Sequence, residues 1–98
     1  MTLFIHPLVQ RDLREILDYY DQRSDRAGDA LFAELENALD TIERDPLRYH
    51  YIDDRRLRCN LRRFPFHLVI EVRGDLVGVM VLRHHRRKPT YGLRRQWG

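Results

Sequence analysis

The apolar positions in the first half of the chain recur at helical spacing. A run of strand formers at residues 2–6 leads to Pro7, which suits the first turn of a helix because the N–H that it lacks would be unpaired there. Apolar residues then lie three or four apart among charged ones from residue 8 to residue 22, and again from Ser24, a residue that can cap a helix, to just before Pro46. Two amphipathic helices joined by a short linker predict an antiparallel helical hairpin.

The period of the pattern changes to two after Arg55. Apolar and basic residues alternate over residues 57–61, and a second alternating run covers residues 66–72 after a break at a Phe-Pro pair. The Arg-Gly-Asp sequence at residues 73–75 is typical of a hairpin turn, and residues 76–82 are apolar at nearly every position, as in a central strand covered on both faces. We therefore expect an α+β fold with element order β-α-α-β-β-β, in which the helical hairpin packs on a twisted, mostly antiparallel sheet.

Length and composition indicate one domain over residues 1–98. The hydrophobic content of 43% suffices for one core, and residues 47–54, which show no clear period, are expected to form a polar connection. The N-terminus lacks the basic start and apolar run of a signal peptide, and the uncharged stretches are too short to span a membrane. Cys59 has no second cysteine with which to form a disulfide. These features together predict a protein of the reducing cytoplasm, without a membrane partner.

The two halves of the chain carry opposite charges. Residues 1–54 have a net charge of −7, and residues 55–98 have a net charge of +10. All of the basic residues except Lys88 are arginines, which favour planar, bidentate contacts to phosphate and carboxylate groups. The sequence therefore predicts a basic face that attracts nucleic acid or an acidic protein segment.

The basic residues are densest in the tail at residues 84–97. We expect a surface that binds the target or a nucleic acid, made of Arg58, Arg62, Arg63, Arg83, Arg86, Arg87, Lys88, Arg94, Arg95 and Trp97. Arginine can neutralise charge on a phosphate, and histidine or tyrosine can move protons, so a nuclease would use Arg58, His84, Arg87 and Tyr91. A tail that only docks a partner is the preferred interpretation of the same residues.

Neither a metal site nor a cofactor site is expected. Side chains of adjacent residues in an extended segment point to opposite faces, so His84 and His85 cannot easily chelate one ion. The sequence has no cysteine pair or helical histidine pair at the spacing of a zinc site. Cys59 shares the parity of Leu57 and Leu61, which places it in the core.

Three segments of the chain have the residues of a known family of small bacterial proteins. They are the helix start Arg-Asp-Leu-Arg-Glu-Ile-Leu-Asp-Tyr-Tyr, the run Arg-Arg-Phe-Pro-Phe-His-Leu-Val-Ile with Arg58 before it, and the ending His-His-Arg-Arg-Lys-Pro-x-Tyr. In this order they resemble the RelE/ParE toxin superfamily over nearly the whole chain, and they are most similar to ParE-like toxins, known from plasmid stabilisation. The resemblance implies the toxin of a type II toxin–antitoxin system, neutralised in a hetero-oligomer by a cognate antitoxin.

The resemblance leaves two activities open. RelE-like members are ribosome-dependent mRNA endonucleases that use basic residues on the sheet and a tyrosine or similar group near the C-terminus, whereas ParE-like members inhibit DNA gyrase. The Phe-Pro-Phe and His-x-Arg-x-x-Pro elements favour ParE, and Lys88 as the only lysine departs from the ribonuclease branch. We expect a gyrase inhibitor without covalent chemistry of its own. The alternatives are a metal-independent endoribonuclease and a degenerate, non-toxic protein that only binds an antitoxin.

The helical hairpin is the expected antitoxin-binding element. Two amphipathic helices on one small sheet rarely bury every apolar position, so an apolar groove should run along them. We expect Leu13, Leu17, Leu31 and Leu35 to contact the apolar residues of the antitoxin, while the basic sheet receives its acidic residues.

Overall fold

The computed structural model describes residues 1–97 as two helices packed on a five-stranded sheet. The elements in chain order are β1 (Thr2–Ile5), α1 (Pro7–Asp21), α2 (Asp25–Arg44), a 3-10 helix (Pro46–Arg48), β2 (His50–Tyr51), β3 (Arg56–Asn60), β4 (Phe66–Arg73) and β5 (Leu76–His84). The strand order is β1-β5-β4-β3-β2, with β1 parallel to β5 and every other pair antiparallel. This confirms the α+β class and the helical hairpin on a mostly antiparallel sheet.

Local side chains define the ends of both helices. Pro7 occupies the first turn of α1, and the side chain of His6 before it accepts a hydrogen bond from the backbone N–H of Leu8. Ser24 caps α2 as predicted, because its Oγ accepts from the N–H of Ala27. The second helix ends before Pro46, whose ring disfavours helical geometry in the preceding residue. Within residues 1–97, neither helix is long and apolar enough to cross a membrane.

The polar connection predicted over residues 47–54 contains a short strand that the sequence pattern did not predict. His50 and Tyr51 form an edge strand, β2, which pairs with Arg58 and Leu57 of β3. A strand of two residues is too short to show a period of two, and both of its residues are exposed, so the hydrophobic pattern gave no signal for it.

One face of the sheet packs against the helices and forms the main core. Its buried residues are Val9, Leu31, Leu35 and Ile42 from the helices and Leu57, Cys59, Leu61, Phe66, Leu68, Ile70, Val77, Val79 and Leu82 from the sheet region. Cys59 lies there as its parity predicted, and burial raises the pKa of its thiol. Burying a leucine or isoleucine side chain stabilises the fold by roughly 1.5–3 kcal/mol, so the alternating residues of β3 and β4 set which face of the sheet meets the helices.

The opposite face of the sheet, called here the second face, is buried as well. His67, Val69 and Glu71 alternate with the core residues of β4 but are themselves buried. A bulge in the β4–β5 pairing leaves Met80 as an extra residue, so that Met80 and Val81 both join the cluster on this face. The second face is covered because the chain returns across it after β5.

Candidate functional site

Residues 85–97, the C-terminal segment, lie across the second face of the sheet. The hydrophobic cluster on this face contains Tyr91, Leu93 and Trp97 from the segment and Phe4, Val69, Met80 and Val81 from the sheet. Gly92 has a φ of +79°, and a Cβ there would lie 2.5 Å from a methyl group of Val81, so this close approach requires glycine. The basic tail is therefore a packed part of the domain.

A buried ion pair between α1 and the C-terminal segment fixes this arrangement. Both oxygens of Asp12 accept hydrogen bonds from Arg95, at 2.7 Å and 3.0 Å, and the two side chains are only 3% and 8% exposed. Asp12 also accepts from the N–H of Leu82, and Arg95 donates to the carbonyl of Met80. Because β1 ends at Ile5, this part of β5 has a neighbouring strand only on its β4 side, and the ion pair supplies hydrogen-bond partners on the other side. The hydrogen bonds that Arg95 donates to the Asp12 carboxylate raise the pKa of its guanidinium.

Arg83 is buried, which corrects its assignment to an exposed binding surface. It is 6% exposed, and its Nε donates to Nε2 of His67 at 2.8 Å. Its Nη1 donates to the carbonyls of Pro89 at 2.7 Å and Tyr91 at 3.0 Å. Arg83 therefore holds the start of the C-terminal segment against the sheet and offers little of its charge to a partner. Arg95 needs the same correction, because its guanidinium is committed to the buried ion pair.

Trp97 also belongs to the packed segment rather than to an open surface. Its ring stacks on Phe4 with 5.4 Å between the centroids, and the guanidinium of Arg73 lies 4.5 Å from the ring centroid. The ring lies so close to Gly78 that a Cβ at that position would be 2.6 Å from Cζ2 of the indole. The partly buried indole therefore fastens the end of the segment to the sheet.

The remaining residues of the predicted basic surface are open to solvent. Arg62, Arg63, Arg86, Arg87, Lys88 and Arg94 are exposed, and Arg58 is half-buried. The carboxylate of Glu34 on α2 accepts hydrogen bonds from the backbone N–H groups of Arg62 and Arg63, so α2 orders the turn that carries both residues. The guanidinium of Arg87 lies 4.1 Å from the ring centroid of Tyr91 and is oriented by that ring.

Five polar side chains on the second face form a hydrogen-bonded group, called here the histidine cluster: Arg58, Asn60, His67, Arg83 and His85. The Nδ1 atoms of His67 and His85 are 2.9 Å apart, and Nη2 of Arg58 is 3.0 Å from Nδ1 of His85. Nε of Arg58 donates to Oδ1 of Asn60 at 2.7 Å. Burial and the nearby charges of Arg58 and Arg83 lower the pKa of His67 to about 3. Burial and Arg58 also lower the pKa of His85, so both rings are neutral near pH 7.

The hydrogen bonds of the histidine cluster determine where its protons lie. The guanidinium of Arg83 can only donate, so Nε2 of His67 accepts and the ring proton of His67 is on Nδ1. That N–H donates to Nδ1 of His85, which also accepts from Arg58. Neutral His85 therefore carries its own proton on Nε2 and presents a hydrogen-bond donor to its surroundings.

The four residues assigned to a nuclease lie in different surroundings. His84 packs its ring against Phe66 of the main core, with 5.2 Å between the centroids, whereas Arg58 belongs to the histidine cluster. Arg87 and Tyr91 do come together, but the hydroxyl of Tyr91 donates to Asp12 at 3.4 Å. The histidine beside Arg58 is His85, which is not among the four predicted residues.

The apolar residues predicted to bind an antitoxin also need correction. Leu31 and Leu35 lie in the main core, and Leu13 and Leu17 are partly buried against it. Because they are buried, Leu31 and Leu35 are unavailable to a partner. A helical pattern identifies an apolar stripe, but it does not show whether the sheet or a partner covers that stripe. An open groove of about 500 Å³, called here the apolar groove, lies beside α1 and is lined by Glu15, Ile16, Tyr19, Tyr20, Pro65, Phe66 and His84.

Asp12, His67 and His85 organise the site but were not singled out from the sequence. The available signal for Asp12 was an acidic residue three positions after Val9, on the apolar side of α1. The signal for His67 was a polar residue in a strand whose neighbours are nearly all apolar, because a buried polar group requires hydrogen-bond partners.

Comparison with known proteins places the fold among toxins. The sequence model of the family described as "ParE toxin of type II toxin-antitoxin system, parDE" matches residues 3–89. Among solved structures, a chain described as "Chromosomal ParDE TA system from P. aeruginosa" superimposes with a TM-score of 0.75 and 15% sequence identity, over 86% of this chain and 95% of that chain. No curated protein matches the sequence. At this identity the structural likeness shows a shared fold.

Proposed function

This chain belongs to the ParE toxin family of type II toxin–antitoxin systems, and we propose that it arrests bacterial growth in the cytoplasm by inhibiting DNA gyrase. The observation that carries the proposal is the C-terminal segment, which the Asp12–Arg95 ion pair fixes to the sheet. The segment presents Arg86, Arg87, Lys88 and Arg94 to solvent from an ordered backbone. Binding energy in protein interfaces is concentrated in a few anchors, often arginines, and an ordered backbone lowers the entropy lost on binding.

Inhibition through this surface requires no covalent step by the toxin. The ring of Tyr91 supports the guanidinium of Arg87, and its hydroxyl is engaged with Asp12. His85 presents a donor rather than a proton acceptor because its Nδ1 already accepts two hydrogen bonds. These assignments favour a binding surface over a general base at the same place.

The apolar groove is the proposed binding site for a cognate antitoxin. Its lining includes the exposed ring of Tyr19 and the partly buried Ile16, and it opens beside the basic C-terminal segment. An antitoxin segment with apolar residues in the groove and acidic residues next to Arg87 would cover both surfaces at once. In such a toxin–antitoxin hetero-oligomer, part of the gyrase-binding surface is occupied.

The gyrase proposal is tested with the purified chain in a plasmid supercoiling assay. The wild-type chain should inhibit supercoiling, and the combined change Arg86→Ala, Lys88→Ala and Arg94→Ala should raise the inhibitory concentration at least about ten-fold, since a hot-spot residue contributes about 2 kcal/mol or more. Arg26→Ala, an exposed arginine of α2, is the matched control and should have little effect. Tyr91→Phe should also have little effect, because the ring beneath Arg87 is retained.

The contrary outcome is specific. Intact supercoiling together with cleavage of message on translating ribosomes, abolished by Tyr91→Phe, would replace gyrase inhibition with endonuclease activity. Normal growth after induction of soluble chain would instead indicate a non-toxic antitoxin-binding protein.

For the antitoxin site, Tyr19→Glu should weaken neutralisation while leaving gyrase inhibition intact. Leu47→Glu, at an exposed apolar residue outside the groove, is its control.

A further inference from the structure

The histidine cluster holds two arginines without acidic partners. Within residues 1–97, the ion pairs involve neither Arg58 nor Arg83, and Glu71, the acid on the same face of β4, pairs with Arg73. The guanidinium of Arg83 donates hydrogen bonds to backbone carbonyl oxygens, whereas the guanidinium of Arg58 contacts only neutral side chains. A half-buried positive charge without a counter-charge is unfavourable, and an anion bound beside it would offset that cost.

Two donors of the cluster remain available to such an anion. Asn60 and His85 occupy Nε and Nη2 of Arg58, while its Nη1 has no acceptor among residues 1–97. The Nε2–H of His85 likewise has no acceptor in the described part of the chain, and the residue is exposed. The guanidinium is therefore held in one orientation before any ligand arrives, as suits the planar geometry of oxyanion recognition.

The surroundings of the cluster favour a polyanion without apolar groups. Arg86 follows His85, and Arg62 lies two residues after Asn60, so exposed guanidiniums flank the cluster. In the stretches 53–75 and 77–97, which carry the cluster and these arginines, no large apolar side chain is exposed. An amphipathic protein segment needs large exposed apolar side chains to contact, which these stretches do not offer. A nucleic acid backbone needs only charge and hydrogen bonds.

We propose that the histidine cluster binds a backbone phosphate of a nucleic acid strand, with Arg58 and His85 donating to the non-bridging oxygens. Arg62 and Arg86 contact the neighbouring phosphates. His67 is a positioning residue, because its Nδ1–H fixes the tautomer of His85 and thereby aims the donor outward. This inference goes beyond gyrase inhibition, since the toxin then binds nucleic acid directly, independently of any protein target.

Fluorescence anisotropy with the purified chain and a labelled DNA duplex of about 20 base pairs tests the inference. The affinity falls as the salt concentration rises, and each phosphate contact makes the slope of log affinity against log salt steeper by about 0.9. One contact therefore strengthens binding about eight-fold at 0.1 M salt relative to 1 M. Arg58→Gln should weaken binding about eight-fold at about 0.1 M salt and reduce the slope by about 1. Arg26→Gln removes the same charge from an exposed site on α2 and should change affinity less than about two-fold.

A second variant separates the hydrogen bond from the charge. His85→Gln should weaken binding without changing the salt slope, because neutral His85 contributes no charge. His84→Gln, next to it but packed on Phe66, should leave affinity unchanged. Circular dichroism of each variant shows whether it is folded. RNA of the same sequence should bind within about ten-fold of DNA, since the contacts are to phosphate.

Several results would overturn the inference. Equal losses from Arg58→Gln and Arg26→Gln would show only diffuse charge attraction. Displacement of the DNA by a polyglutamate peptide of equal charge would identify an acidic protein segment as the ligand, and displacement by inorganic phosphate at equal phosphate concentration would identify an isolated anion site. Gyrase inhibition is read in the supercoiling assay, so failure of that proposal is distinguishable from failure of this one.

Discussion

Replacing Asp12 with alanine removes a carboxylate that joins α1, the C-terminal segment and the part of β5 that β1 leaves uncovered. Asp12 accepts hydrogen bonds from both terminal nitrogens of Arg95, from the N–H of Leu82 and from the hydroxyl of Tyr91. Without it, the guanidinium of Arg95, which is 8% exposed, loses its counter-charge. We therefore expect the free energy of unfolding to fall sharply.

The size of this loss follows from the burial of the pair. Removing one partner of a buried ion pair costs about 3–5 kcal/mol, against a total stability of about 5–15 kcal/mol for a domain of this size. At a urea slope of about 1.5 kcal/mol per molar, the midpoint of urea unfolding should drop by roughly 2–3 M. The double change Asp12→Leu and Arg95→Met should recover much of the loss, because it leaves no buried charge unpaired.

Urea unfolding followed by two signals measures this effect. Trp97 is the only tryptophan of the chain and stacks on Phe4, so its fluorescence reports release of the C-terminal segment, while circular dichroism reports the helices. Arg11→Ala is the control, because Arg11 and Glu15 form an exposed pair, 63% and 61% exposed, whose loss should cost about 0.5 kcal/mol or less. If Asp12→Ala costs no more than Arg11→Ala, the stabilising role assigned to the buried pair is refuted.

Three further predictions concern other contacts of the second face and the turn after β3. Gly78→Ala should displace the ring of Trp97, destabilise the fold by about 1–3 kcal/mol and shift the fluorescence to longer wavelength, whereas an unchanged spectrum would contradict the close packing. The pKa of His67 is about 3 in the folded protein against 6.5 when unfolded, so the unfolded state takes up the proton first, and stability should be lost as the pH falls from about 6.5 towards 3. Urea midpoints measured across that range should fall less steeply for His67→Gln, and parallel curves would count against the buried neutral ring. Glu34→Ala should free the N–H groups at Arg63 and its neighbour and speed their hydrogen exchange, with a cost of about 1 kcal/mol, and unchanged exchange would rule out these two hydrogen bonds.

The hydrophobic periods predicted most of the fold because burial repeats regularly along its longer elements. The change from helical spacing to alternation after Arg55 separated the hairpin from the three long strands, and Ser24 and Pro46 marked the ends of α2. The parallel pairing of β1 with β5 could not be read in the same way, since both strands are apolar and a pattern within one strand does not name its neighbour. The edge strand β2 is too short to carry a period at all.

The site was predicted less well because the charge of a residue does not reveal its partner. Counting arginines identified the basic half, but Arg83 and Arg95 point into the protein, where they meet carbonyl groups and a carboxylate far away in sequence. Asp12 and Arg95 are 83 residues apart, so only the folded arrangement brings them together. Arg87 and Arg94 do lie at the surface, while their part in binding a target stays a prediction.

The ion pair at the uncovered part of β5 also has a consequence for how separate molecules meet. A strand whose edge is left unpaired is a template to which a strand from another molecule can add, and this is a common start of edge-to-edge aggregation. Here β1 covers only residues 76–79 of β5, and the side chains of Asp12 and Arg95 occupy the N–H of Leu82 and the carbonyl of Met80 beyond them. A strand from a second molecule would have to displace this buried ion pair before it could pair there. The Asp12–Arg95 ion pair that fixes the C-terminal segment to the sheet thus also blocks the addition of a strand from a neighbouring molecule at this edge.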